Sequence, residues 1–163
     1  MIRNPILPGF HADPCICRRG DDYYIACSSF EWFPGIPVYH SRDLKHWELC
    51  SHILTDDTKL GLVNLPCSKG VWAPCLSWCE ADGLFYAVYG VMRSMNARYF
   101  DIDNYLITAP DITGPWRRTG LSPFRRVRRL SLSWGRRAKV AGLAGMGDPG
   151  RLSKAGRDLF GGI

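Results

Sequence analysis

Two stretches of this chain repeat one pattern, and that repeat limits the fold more than any other feature. Asp-Asp-Tyr-Tyr at 21–24 leads to Val-Tyr-His-Ser-Arg-Asp-Leu-Lys-His-Trp at 38–47, and Asp-Gly-Leu-Phe-Tyr at 82–86 leads to Tyr-Leu-Ile-Thr-Ala-Pro-Asp-Ile-Thr-Gly-Pro-Trp at 105–116. Each unit reads as a hairpin, a further strand, and an Asp-bearing turn closed by Trp. Tyr24 and Tyr86 stand 62 residues apart and Trp47 and Trp116 stand 69 apart, a period that fits four-stranded blades set radially about an axis. Radial repeats bury their faces against neighbours, so a closed ring needs at least about three to four of them. Two units predict a partial ring.

The rest of the first 116 residues agrees with this. Stretches 22–30, 36–40, 71–78, 84–90 and 104–108 are aromatic and β-branched and are bounded by Gly, Pro, Asp or Ser, the signature of strands. No stretch there sustains a helical period, and the predicted class is all-β. Asp43 and Asp111 are expected to hydrogen-bond the local backbone in the repeated turns, with Trp47 and Trp116 covering blade edges. Asp101 and Asp103, ahead of the last strand, are expected to be solvated.

Charge divides the chain at the same point. Residues 1–116 carry 9 Lys and Arg against 13 Asp and Glu, whereas residues 117–163 carry 12 against 2. The net charge of +6 therefore belongs to the tail. That tail also holds 9 of the 17 glycines and only three aromatics, Phe124, Trp134 and Phe160, with neither the period of a strand nor that of a helix. It is expected to be disordered or poorly packed, which places the organisation at 1–116 for the folded part and 117–163 for an Arg/Gly-rich tail. Arg pairs in such a tail can contact phosphates, but no aromatic interleaving or nucleic-acid-binding module accompanies them, so nucleic acid ranks low as a partner.

All seven cysteines (15, 17, 27, 50, 67, 75 and 79) lie in the first half, in odd number and without zinc-ribbon spacing. Most are expected to serve as small buried hydrophobes, and no metal or cofactor is implied. No charged-then-apolar leader opens the chain, and no apolar run approaches the roughly 20 residues that span a bilayer. A reducing cytoplasm and no membrane partner are the expectation.

Candidate chemistry begins at Asp13. It lies in Asn-Pro-Ile-Leu-Pro-Gly-Phe-His-Ala-Asp-Pro at 4–14, where three prolines fix φ and remove backbone donors, so the segment is read as a rigid irregular strand that holds its carboxylate in place. By itself an Asp-Pro pair is as well explained by an Asx-turn or a strand-end cap. His11, two residues earlier, is read either as a partner of Asp13 or the substrate, or as a pocket-rim or core histidine. Phe30, Trp32, Phe33 and Trp72 could each present a flat apolar face to a sugar ring, or simply fill the core.

Four segments, 4–14, Tyr-Tyr-Ile-Ala-Cys-Ser-Ser-Phe-Glu-Trp-Phe-Pro-Gly at 23–35, Ser-Arg-Asp-Leu-Lys-His-Trp at 41–47 and Val-Trp-Ala-Pro at 71–74, together resemble the start of a glycoside hydrolase family 43 enzyme of the β-xylosidase and α-arabinofuranosidase branch. The resemblance runs from about residue 4 to 116. It implies a five-bladed β-propeller with a sugar site at the centre of one face and hydrolysis of xylosides or arabinosides with inversion. It also implies Asp13 as general base, Phe30 and Trp72 as apolar walls of the sugar subsite, the segment 31–35 as a shaper of the pocket, and xylo- or arabino-oligosaccharides as substrate.

The chain departs from that pattern after 116. The resemblance implies a second Asp in a Gly-Phe-Asp-Pro-Ser type segment and a later Glu as general acid, whereas residues 117–163 hold only Asp148 and Asp158 and no Glu. An altered reading frame or a spliced, truncated product is the expected origin of this switch. A frame change predicts that another frame past codon 116 encodes the missing Asp segment. As this chain stands, the expected outcomes are an incomplete and inactive hydrolase, or alternatively a non-catalytic sugar-binding or unfolded propeller fragment.

Overall fold

A computed structural model describes residues 2–56, 60, 62–96, 99–121, 129–134 and 139–144. Among these residues all regular structure is β. Strands β1 (Cys15–Arg19), β2 (Asp22–Ala26), β3 (Gly35–Ser41) and β4 (Glu48–Leu54) form one antiparallel sheet in the order β1-β2-β3-β4. Strands β5 (Gly70–Cys79), β6 (Leu84–Asn96), β7 (Tyr99–Ala109) and β8 (Arg117–Leu121) form a second sheet in the order β5-β6-β7-β8. Each is a four-stranded meander, the unit of a blade. Strands β9 (Arg129–Trp134) and β10 (Lys139–Ala144) pair as a separate hairpin.

The repeated landmarks fall at matching places. Tyr24 lies in β2 and Tyr86 in β6, the second strand of each sheet, and Trp47 and Trp116 immediately precede β4 and β8, the fourth. The Asp turns are built as expected. Asp43 Oδ1 accepts from the backbone N–H groups of Lys45 and His46, both at 2.8 Å, and Asp111 Oδ1 accepts from Thr113 N–H at 3.0 Å. Trp116 Nε1 donates to the Ile112 carbonyl at 3.2 Å, whereas Trp47 Nε1 is buried without an acceptor among the described residues.

One core joins the two sheets. Tyr24, Ala26, Ile36 and Val38 of the first pack with Val71, Leu76, Phe85 and Ala87 of the second. The Tyr24 ring meets Phe85 edge-on, centroids 5.5 Å apart, while Tyr86 is half-buried and donates its hydroxyl to Asp82 at 2.6 Å. A radial repeat turns the same face of each sheet the same way round, so equivalent tyrosines cannot meet. Tyr24 therefore packs on the neighbour of its counterpart. Arg19 adds a polar tie between the sheets: its guanidinium stands 5.0 Å from the Phe85 ring and 5.2 Å from the Trp78 ring and donates to Asp111 at 3.3 Å.

Several readings of the sequence change. Strands β1 and β4 were not expected, because Cys-Ile-Cys-Arg-Arg and Glu-Leu-Cys-Ser-His carry little β signature; they form by pairing with β2 and β3. The second sheet does not stop at 116, since Arg117–Leu121 supplies its fourth strand. Within the tail, 129–134 and 139–144 are paired, and 122–128, 135–138 and 145–163 lie outside the described residues. Asp103 is not simply solvated: β7 begins at Tyr99 and brings its carboxylate 3.3 Å from Arg93 Nε. Asp101 is exposed.

Cys17, Cys27 and Cys79 are buried, Cys15 and Cys75 half-buried, and Cys50 and Cys67 exposed, all as free thiols. Burial pushes the thiol of Cys15 up to about 12 and those of Cys17 and Cys27 up to about 11, so these three are inert neutral packing groups at neutral pH.

Candidate active site

The segment ahead of β1 is irregular rather than a strand, as its prolines require. Its fixed point is a set of hydrogen bonds to residues just after β2. Ser28 N–H donates to the Ala12 carbonyl at 2.9 Å, and Ser28 Oγ–H donates to Asp13 Oδ2 at 2.7 Å. The same Oγ accepts from Ala73 N–H in β5 at 2.8 Å. One buried hydroxyl, Ser28 at 6 % exposure, thus ties the candidate base to both sheets.

Backbone strain gathers at this place. Asp13, Phe30 and Ala73 all take left-handed φ values, 48°, 53° and 44°, a region that costs an ordinary L-residue about 1–2 kcal/mol. Such conformations persist only where the surroundings over-determine them, and they cluster at functional sites. Ala73 lies within a register shift of the β5–β6 ladder between Trp72 and Cys75; a bulge of this kind re-aims the side chains around it. Phe30 is held by reciprocal backbone bonds to Val71, at 2.9 and 2.8 Å.

The aromatic groups are on the surface of the site and not in the core. Phe30 and Trp72 are half-buried, their ring centroids 6.3 Å apart and near edge-on. Trp72 Nε1 donates to the Ser68 carbonyl at 3.0 Å, which satisfies its polar end and fixes the ring. Phe10 lies 5.7 Å from Phe30 and 5.9 Å from Trp32 by centroid. Trp32 and Phe33, for which a core position was the bland alternative, are 62 % and 48 % exposed.

A hollow of about 270 Å³ is lined by Phe10, Phe30, Glu31, Trp32, Cys67 and Ser68. Of the residues singled out in sequence as base, walls and partner, only Phe30 lines it; Asp13, His11 and Trp72 stand outside the lining. Glu31 holds its edge by accepting Ser68 N–H at 3.0 Å. Hydrogen bonds from its own backbone N–H and from that of Ser68 keep its carboxyl below the usual range, so it stays ionised and is unsuited to donating a proton at neutral pH.

His11 does not bond Asp13. Its Nε2 lies 3.2 Å from the Pro8 carbonyl and its ring packs edge-on against Tyr39, centroids 5.0 Å apart. Asp13 instead takes its hydrogen bond from Ser28, which the sequence reading passed over. The available signal was Ser28-Ser29 at the end of an apolar β run, because buried hydroxyls require partners.

Two successive four-stranded meanders place the chain among propeller-type folds, and its relatives among known proteins are glycoside hydrolases. The chain belongs to glycosyl hydrolases family 43, whose family model matches residues 2–127. It is 48 % identical to the beta-xylosidase of Bacillus subtilis (strain 168) over 115 residues, 71 % of this chain and 21 % of the relative. It is 49 % identical to the xylosidase/arabinosidase 43B of Humicola insolens over 117 residues, again 71 % of this chain and 21 % of the relative. Among solved structures, the xylan beta-1,4-xylosidase of Bacillus halodurans C-125 superposes with a TM-score of 0.72 at 48 % identity, over 82 % of this chain and 25 % of that one. The chain thus spans about a fifth of the length of these two relatives.

Proposed function

We propose that this chain is the Asp13-bearing part of an inverting hydrolase of xylosides or arabinosides, built on a five-bladed propeller of which the two sheets are the first blades. The observation that carries the reading is the mount of Asp13: a carboxylate on strained backbone fixed by a buried hydroxyl that is itself held by Ala73, the residue after Trp72. The names of its relatives supply the sugar class.

In this reading the ionised Asp13 takes a proton from a water as its oxygen attacks the anomeric carbon. The bond to the leaving oxygen breaks on the opposite face, and a protonated carboxyl about 6.5–9.5 Å away gives that oxygen its proton. Phe30 and Trp72 offer apolar surface to the ring C–H groups. Free thiols throughout support a reducing, cytoplasmic setting.

The Glu that the family resemblance implies as general acid has no counterpart in residues 117–163, which hold no Glu, so in this reading the 163-residue chain binds sugar without turning it over. The test is an assay of the purified chain on aryl xylosides and arabinosides, with xylobiose binding followed by tryptophan fluorescence. Binding that Phe30→Ala weakens, with no turnover, supports the proposal. Turnover abolished by Asp13→Ala overturns the inactive reading, and failure to bind any pentoside overturns the site.

A further inference from the structure

We infer that Ser28 is a positioning residue for Asp13, a role that rests on reading Asp13 as the general base. Three observations converge on its side chain. It is buried, its hydroxyl proton goes to Asp13 Oδ2 at 2.7 Å, and its lone pair receives Ala73 N–H at 2.8 Å. The second bond decides the first. A serine hydroxyl has a single proton, and with the Ala73 N–H aimed at the oxygen, that proton is directed outward to the carboxylate. Backbone geometry in β5 therefore fixes which way the hydroxyl points.

The arrangement acts on Asp13 through geometry. Donation to Oδ2 fixes the carboxyl plane and leaves Oδ1 as the oxygen that can take a proton from water. Because Ala73 adjoins Trp72 and Ser28 precedes Phe30 by two residues, the same hydroxyl sets the base in register with both aromatic walls. Ser29, next in sequence and equally buried, shows the contrast: its Oγ accepts Ile36 N–H at 3.1 Å and serves the turn into β3.

The experiment uses the full 163-residue chain carrying Ser28→Ala, Ser28→Cys, Ser28→Thr or Ser29→Ala, with the Asp13 carboxyl carbon and the Ala73 amide followed by NMR at neutral pH. Ser28→Ala is expected to move both signals, because it removes the donor to Asp13 and the acceptor of Ala73 N–H at once. Ser28→Thr, which keeps the hydroxyl, restores both, and Ser29→Ala leaves both unmoved. Ser28→Cys keeps the volume and a weaker donor and gives intermediate shifts, so it carries the test if the alanine variant does not fold. Asp13 and Ala73 signals unchanged in the folded Ser28 variants overturn the inference. The readout needs no catalysis: if Asp13 responds to Ser28 while a complete propeller proves indifferent to Asp13→Ala, the base role falls and the positioning contact stands.

Discussion

Replacing Gly70 by alanine should break the joint that carries Phe30. Gly70 opens β5 at φ +95°, and a Cβ there would lie 2.2 Å from the Phe30 carbonyl oxygen and 2.5 Å from its carbon. Both are backbone atoms of the Phe30–Val71 bridge, so no rotamer relieves the clash. Admitting the methyl group opens two hydrogen bonds of 2.9 and 2.8 Å, worth about 1 kcal/mol each and more if the groups stay dry. The left-handed φ adds about 1–2 kcal/mol for alanine. The sum is about 3–5 kcal/mol, a large part of a domain's usual stability of about 5–15 kcal/mol. Gly90→Ala is the control: its Cβ would meet Ile102 Cδ1 at 2.4 Å, but that is the end of a side chain, and repacking costs about 1–3 kcal/mol. Urea unfolding of the wild-type chain and both variants checks this. A Gly70→Ala loss below about 1 kcal/mol, or smaller than that of Gly90→Ala, would refute the reasoning.

The buried thiols predict an alkaline limit. Burial raises Cys15, Cys17 and Cys27 above the ordinary thiol value of 9.0, so their contribution is complete below that pH and falls as pH rises toward the folded values. Each thiol takes away about 1.4 kcal/mol per pH unit in that window, and a flat stability profile from about pH 9 to 11 would contradict it. At the acid end, hydrogen bonds from the His46 and Lys45 backbone hold Asp43 well below its usual range. Its contribution is present above the unfolded value and lost as pH falls through the folded one, so Asp43→Asn should make the acid limb of urea midpoints shallower. Arg19→Ala removes the tie among Asp111, Phe85 and Trp78 and should cost about 1–2 kcal/mol in thermal unfolding, discounted for the exposure of Asp111.

The blade repeat was legible because two different units place Tyr in the second strand and Trp before the fourth; spacing alone reported the topology. Asp13 stood out as a candidate because its segment is dense with Pro and Gly, and Phe30 and Trp72 became candidates only through the family resemblance. The mount of Asp13 was not legible. Ser28 bonds a residue 15 positions earlier and one 45 positions later, and no local pattern encodes such a contact. Strands β1 and β4 escaped for the related reason that pairing, not propensity, makes them. The contacts His11 makes are with the Pro8 carbonyl and with the Tyr39 ring of β3, and proximity in sequence to Asp13 does not report the second of these.

The most direct test of the central claim grafts residues 2–116 of this chain onto the Bacillus subtilis beta-xylosidase in place of the segment they match, and measures aryl xyloside hydrolysis with and without Asp13→Ala. The account predicts an active chimera that releases the inverted anomer and loses about 10²–10⁴-fold in kcat on Asp13→Ala, with KM nearly unchanged. A folded, active chimera that keeps its kcat without Asp13 would contradict it.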